Sequence, residues 1–131
     1  MPRKKRKRAY IAFRYEERTL KHYLKGQLRN RSVGVTVSDY SMKEATPDSK
    51  WKKRAEERIK RANQVVVLVG PTTHNARGVK EEVKIARRLG KPVCQIRAVK
   101  GKQCPRVPGA GRYYRWTHAN LEKIFGTTKK H

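Results

Sequence analysis

The stretch that decides the fold runs QVVVLV at 64–69, GPTTHNAR at 70–77 and GVKEEVKIARRLG at 78–90. The first piece, Gln64 to Val69, is a nearly unbroken apolar run rich in branched residues. Such runs form strands buried on both faces of a parallel sheet. Gly70 to Arg77 is polar and reads as a loop. Gly78 to Leu89 then repeats at helical spacing. At 100° per residue from Val79, the residues Val83, Ala86 and Leu89 share a stripe about 120° wide. Gly90 follows as a C-terminal cap, because glycine accepts the left-handed conformation that ends a helix.

Working outward, the same alternation repeats. Upstream, Trp51, Ala55, Ile59 and Ala62 mark one face of a basic helix, which Asp48 or Ser49 can cap. Met42 to Ser49, with Pro47, reads as a long loop. Val33 to Val37 reads as a strand ending in Ser38-Asp39-Tyr40-Ser41. Before it, Glu17 to Leu28 places Leu20, Tyr23, Leu24 and Leu28 at helical spacing. Ala9 to Tyr15 reads as the first strand. Downstream, Pro92 to Val99 reads as a strand, a Gly- and Pro-containing segment continues to Arg112, and Asn120 to Phe125 reads as a short helix. Alternation of this kind predicts an α/β fold, with a parallel sheet between two helical layers. Right-handed crossovers make a doubly wound sheet its natural topology. Residues 9–127 form one expected domain, flanked by a flexible basic arm at 1–8 and a basic tail at 128–131.

The 131-residue chain carries 35 Lys and Arg against ten Asp and Glu, a formal net charge of +25. Such a chain attracts polyanions without sequence preference and repels itself when compact. Arg3, Lys4, Lys5, Arg6, Lys7 and Arg8 form an unbroken basic run. That run suits contact with nucleic acid or another anion, although a solvated tail is the plainer reading. No apolar run approaches the roughly 20 residues that span a membrane, so no insertion is expected. The two cysteines, Cys94 and Cys104, read as reduced thiols, which suits a cytoplasmic protein. No metal-spaced His/Cys set, P-loop, dinucleotide fingerprint or serine elbow is present.

In open α/β sheets, ligands bind beyond the carboxyl ends of the strands. Three polar loops are expected there: Arg14 to Glu17, Asp39 to Ser49, and Thr72 to Asn75. Glu82 is the most informative residue. It falls inside the apolar stripe of its helix, whereas Glu81 points away among Lys84 and Arg88. An inward acid is costly unless it is paired or opens into a polar cleft. Two readings stand: an acid at the mouth of a ligand site, or one that complements the helix dipole. His74 reads as a general base or an ordinary loop histidine. Asp39 reads as a ligand contact or a turn former. Tyr15 and Trp51 either stack on a base or simply pack.

Several pieces in order carry a resemblance. Tyr10-Ile11-Ala12-Phe13-Arg14-Tyr15 opens the chain, and Asp39-Tyr40-Ser41 ends the second strand. Trp51 leads a basic helix to Val65-Val66-Val67-Leu68-Val69-Gly70. Then come Thr73-His74-Asn75, Gly78-Val79, Glu82-Val83, Ile85-Ala86, Lys91-Pro92-Val93 and Arg115-Trp116. Together these resemble the Thoeris ThsB TIR-like family, from about Ala9 to Phe125.

The resemblance implies a flavodoxin-like TIR fold, a three-layer sandwich. It also implies an NAD glycohydrolase or ADP-ribosyl cyclase activity in antiphage defence. Glu82 would be catalytic, with NAD as substrate rather than bound cofactor and with no metal. NAD would meet Phe13, Arg14, Tyr15, Asp39, Ser41, His74 and Asn75. Self-association and a downstream effector that senses the nucleotide product are implied as partners. One departure is visible: many TIR-like members carry an aromatic residue where this chain has Gly78. Two other classes stay open, a non-catalytic TIR-type assembly module and a basic nucleic-acid-binding protein.

Overall fold

The protein is described by a computed structural model covering residues 7–13, 35–40, 48–99 and 101–125. The elements are β1 (Lys7–Ala12), β2 (Val35–Tyr40), α1 (Asp48–Arg61), β3 (Gln64–Val69), α2 (Arg77–Arg88), β4 (Val93–Arg97), β5 (Arg112–Tyr114) and α3 (His118–Phe125). A single 3-10 turn, Thr73–Asn75, precedes α2. The expected helix at 17–28, the arm residues Arg3 to Arg6 and the tail at 128–131 lie outside the described residues, as do Arg14, Tyr15 and Ser41.

Five strands form one sheet in the order β2-β1-β3-β4-β5, and every neighbouring pair is parallel. This is the doubly wound, flavodoxin-like order, and its direction reverses between β1 and β3. Strand alternation divides the core. Tyr10, Ala12, Val65, Val67 and Val69 face one side and meet Ala55, Ile59 and Ala62 from the α1 segment and Val79, Val83 and Ala86 from α2. Ala9, Ile11, Phe13, Val66, Leu68 and Ile96 face the other side and meet Leu121 and Ile124 of α3. Each fully buried branched side chain contributes about 1.5–3 kcal/mol.

The crossovers explain why α1 and α2 share a face. Both follow rightward steps across the sheet, and right-handed connections then place both on the same side. The β4–β5 connection also steps rightward. Its described residues contain no helix, yet Cys104, Val107 and Ala110 pack onto that same face.

The structure corrects three expectations. β1 begins at Lys7, so Lys7 and Arg8 are strand residues in register with Val35 and Thr36 rather than the end of the arm. Backbone pairing is indifferent to their charge. β2 runs to Tyr40, which makes Asp39 and Tyr40 strand residues rather than the turn after the strand. A bulge between Ala9 and Tyr10 shifts the pairing so that Tyr10 meets Asp39. The sheet has a fifth strand, Arg112–Tyr114, within the segment expected to be irregular.

The C-terminal end of α2 is built as the sequence predicts. Gly90 has φ of 73°, its N–H bonds the Arg87 carbonyl, and the Lys91 N–H bonds the Ala86 carbonyl. These two bonds complete the glycine-centred helix stop. Glu81 lies toward the surface within reach of Lys52 and Lys84, each at 3.8 Å, while Arg88 reaches Glu56 of α1 at 3.1 Å.

Candidate active site around Glu82

The turn after β3 is fixed by Thr73. Its fully buried hydroxyl accepts the Gly70 N–H at 2.7 Å and donates to the Leu68 carbonyl at 3.4 Å. The turn leads directly into α2. That helix starts at the carboxyl end of β3 with Ala76 as N-cap, no side-chain cap and no acid in its first turn. Its leading N–H groups and the positive end of its dipole therefore face a region that suits an anion.

Glu82 sits one and a half turns into α2, on the face that carries Val79, Val83, Ile85 and Ala86. It is 1% exposed. The Tyr10 hydroxyl donates a hydrogen bond to Glu82 Oε2 at 2.6 Å across the core. Tyr10 is itself fully buried on β1. The inward direction expected for Glu82 is what the structure shows. Its carboxyl lies beneath the helix with Tyr10 as a partner, and two of the loops expected to line a cleft there, 14–17 and 41–47, lie outside the described residues. A carboxyl removed from water needs such donors. The pair is short enough to count among the strong O–H···O bonds.

The remaining predicted contacts fall in different places. Phe13 is 4% exposed and packs with Ile11, Val66 and Leu68, on the sheet face away from Glu82. Asp39 is the register partner of Tyr10, so its backbone lies one strand from the residue that holds Glu82. His74 and Asn75 form the turn before α2. Asn75 is exposed, whereas the Nδ1 atom of His74 is buried without a hydrogen-bond partner among the described residues. Tyr10 is the site residue that sequence reasoning missed. The available signal was its phenol on an inward strand position, since a buried tyrosine hydroxyl needs a partner.

Among the described residues, no three His, Cys, Asp or Glu side chains cluster as metal ligands. No helix there is long and apolar enough to cross a membrane.

A parallel sheet in the order 2-1-3-4-5, with one buried acid on the helix that follows its central strand, makes this a flavodoxin-like α/β domain. Residues 10–103 match the family described as Thoeris protein ThsB, TIR-like domain. That span is well over half of the 131 residues, and the chain belongs to this family. No curated protein matches the chain in sequence.

Proposed function

We propose that this TIR-like module of Thoeris antiphage defence cleaves the nicotinamide–ribose bond of NAD to give an ADP-ribose-type messenger. Supporting this is the placement of Glu82: a lone acid of α2 turned inward, held by Tyr10, within the span that matches the family. When the C1′–N bond breaks, nicotinamide leaves as a neutral molecule with the bonding electron pair. The ribose is left with oxocarbenium character, as in glycoside cleavage. A carboxylate oriented by a tyrosine hydroxyl stabilises that positive charge and aligns the ribose hydroxyls. Water or a hydroxyl of the same nucleotide then captures C1′ and releases a proton. The uncapped start of α2 suits the pyrophosphate.

A carboxyl that is 1% exposed meets NAD only after the α2 face opens. Turnover should therefore depend on self-association or another event that exposes Glu82. The same burial supports a second reading, in which Glu82 and Tyr10 are a structural pair inside a non-catalytic assembly module.

Glu82→Gln separates the two, because it keeps the side-chain volume and an acceptor for Tyr10. Loss of NAD turnover with the melting temperature within a few degrees of wild type supports catalysis. Unchanged turnover in that variant rules Glu82 out as the catalytic group.

A further inference from the structure

A second candidate site lies beyond the carboxyl ends of β4 and β5, away from Glu82. One cleft of about 460 Å³ is lined by Arg97, Gln103, Tyr113, Tyr114 and Arg115, among others. A smaller one of about 220 Å³ shares Arg97 and Arg115 and adds Trp116 and Thr117. Arg97 and Arg115 line both clefts, so the two adjoin as one groove. None of its lining residues among those described is acidic.

The walls of this groove are fixed by side-chain bonds to loop carbonyls. Arg97 Nε donates to the Val99 carbonyl at 3.1 Å and Nη2 to the Lys102 carbonyl at 2.6 Å. The Tyr113 hydroxyl donates to the Cys104 carbonyl. Behind them, fully buried Gln95 donates to the carbonyls of Val107 and Gly111 and accepts the Val107 N–H. Arg97 keeps its remaining N–H donors for a ligand. Arg115 is exposed, and its guanidinium makes no bond among the described residues.

We propose that this groove binds a nucleotide, with Arg97 and Arg115 on its phosphate and the ring of Tyr113, which shares a sheet face with Arg97, against its base. Guanidinium groups match phosphate oxygens in paired, charge-assisted hydrogen bonds. Aromatic faces accept any base by stacking. The larger cleft is within the usual size range of small-ligand sites, roughly 300–1,000 Å³. The position beyond the strand ends is where open α/β sheets bind ligands. β4 stands two strand spacings from β1, roughly 10 Å, and the groove shares no residue with the Tyr10–Glu82 pair. The site is therefore additional to the proposed cleavage centre.

General attraction of anions to this basic chain is the competing cause, so the test must require base, phosphate and position together. AMP, adenosine and inorganic phosphate are titrated by calorimetry against the full chain in 0.15 M NaCl. Arg115→Gln is compared with Arg54→Gln, which removes the same charge from an exposed position on α1. AMP should bind roughly tenfold or more tightly than either fragment. Arg115→Gln should weaken AMP by about fivefold or more, and Arg54→Gln by less than about twofold. Equal losses in the two variants, AMP no tighter than phosphate, or no AMP binding at millimolar concentration would each overturn the proposal. AMP has no nicotinamide bond, so these results are independent of whether NAD is cleaved.

Discussion

Replacing Tyr10 with phenylalanine removes one oxygen atom from the core and leaves the ring in place. That oxygen donates to Glu82 Oε2 at 2.6 Å, with Tyr10 fully buried and Glu82 1% exposed. The transfer of the ring from water is nearly unchanged, so the cost is the lost bond and a carboxyl left short of a donor. A buried bond to an ionisable partner is worth about 1.5–3 kcal/mol, and water cannot replace it at this depth. Tyr10→Phe should therefore destabilise the fold by about 2 kcal/mol. For a chain of this length that lowers the melting temperature by roughly 6–10 °C.

The assay is urea unfolding followed by circular dichroism, run as a double-mutant cycle with Glu82→Leu. The apolar replacement removes the need for a donor, since an apolar isostere at a buried charged site is often neutral. Tyr10→Phe in the Glu82→Leu background should cost under about 0.5 kcal/mol, giving a coupling of about 2 kcal/mol. Raising NaCl should leave this coupling unchanged, because the pair is buried from mobile ions. A Tyr10→Phe cost below about 0.5 kcal/mol in the wild-type background, or additive costs in the cycle, would refute the reasoning.

Three further outcomes are expected. Gln95→Leu deletes three bonds to the 107–111 segment and should cost about 2–4 kcal/mol. Hydrogen exchange should speed up across residues 101–114 in that variant, and unchanged exchange would contradict the clamp. Gly111→Ala should cost about 3 kcal/mol or more by urea unfolding, because φ is 80° there and a Cβ would collide with the Val93 carbonyl. A neutral alanine would contradict the close β4–β5 approach at this position. Burial pushes the Cys94 thiol up to about 11, so its thiolate is scarce at neutral pH. The raised folded value means that stability from this group is intact below the ordinary thiol range and is lost as pH climbs toward 11. Alkylation of Cys94, followed by mass spectrometry, should accelerate only at that alkaline end. A midpoint near 8.5, as for a free thiol, would show the burial argument wrong.

Much of this architecture is legible in the residues themselves. Gln64–Val69 matches its predicted span because both faces of β3 are buried, which leaves a continuous apolar run. The inward direction of Glu82 follows from helical spacing alone, since Val79, Val83 and Ala86 fix the face. The ends of β1 and β2 were less legible. Lys7, Arg8 and Asp39 look like arm and turn residues by type, whereas parallel pairing recruits their backbones whatever side chains they carry. β5 is three residues long at the sheet edge, and no side-chain pattern of that length identifies a strand. It is set by pairing with β4 and by the Gln95 bonds to the preceding loop. The Tyr10–Glu82 contact joins residues 72 apart, and a single sequence gives periodicity but not partners at that range.

The claim at the centre is that this chain breaks the nicotinamide–ribose bond and that Glu82 is required. Its most direct test is product analysis by chromatography and mass spectrometry after incubation with NAD. The wild type is compared with Glu82→Ala, both confirmed folded and both at high concentration to favour assembly. Release of nicotinamide with an ADP-ribose-type product from the wild type alone is the expected result. Equal nicotinamide release from a folded Glu82→Ala variant, or none from the assembled wild type, would contradict it.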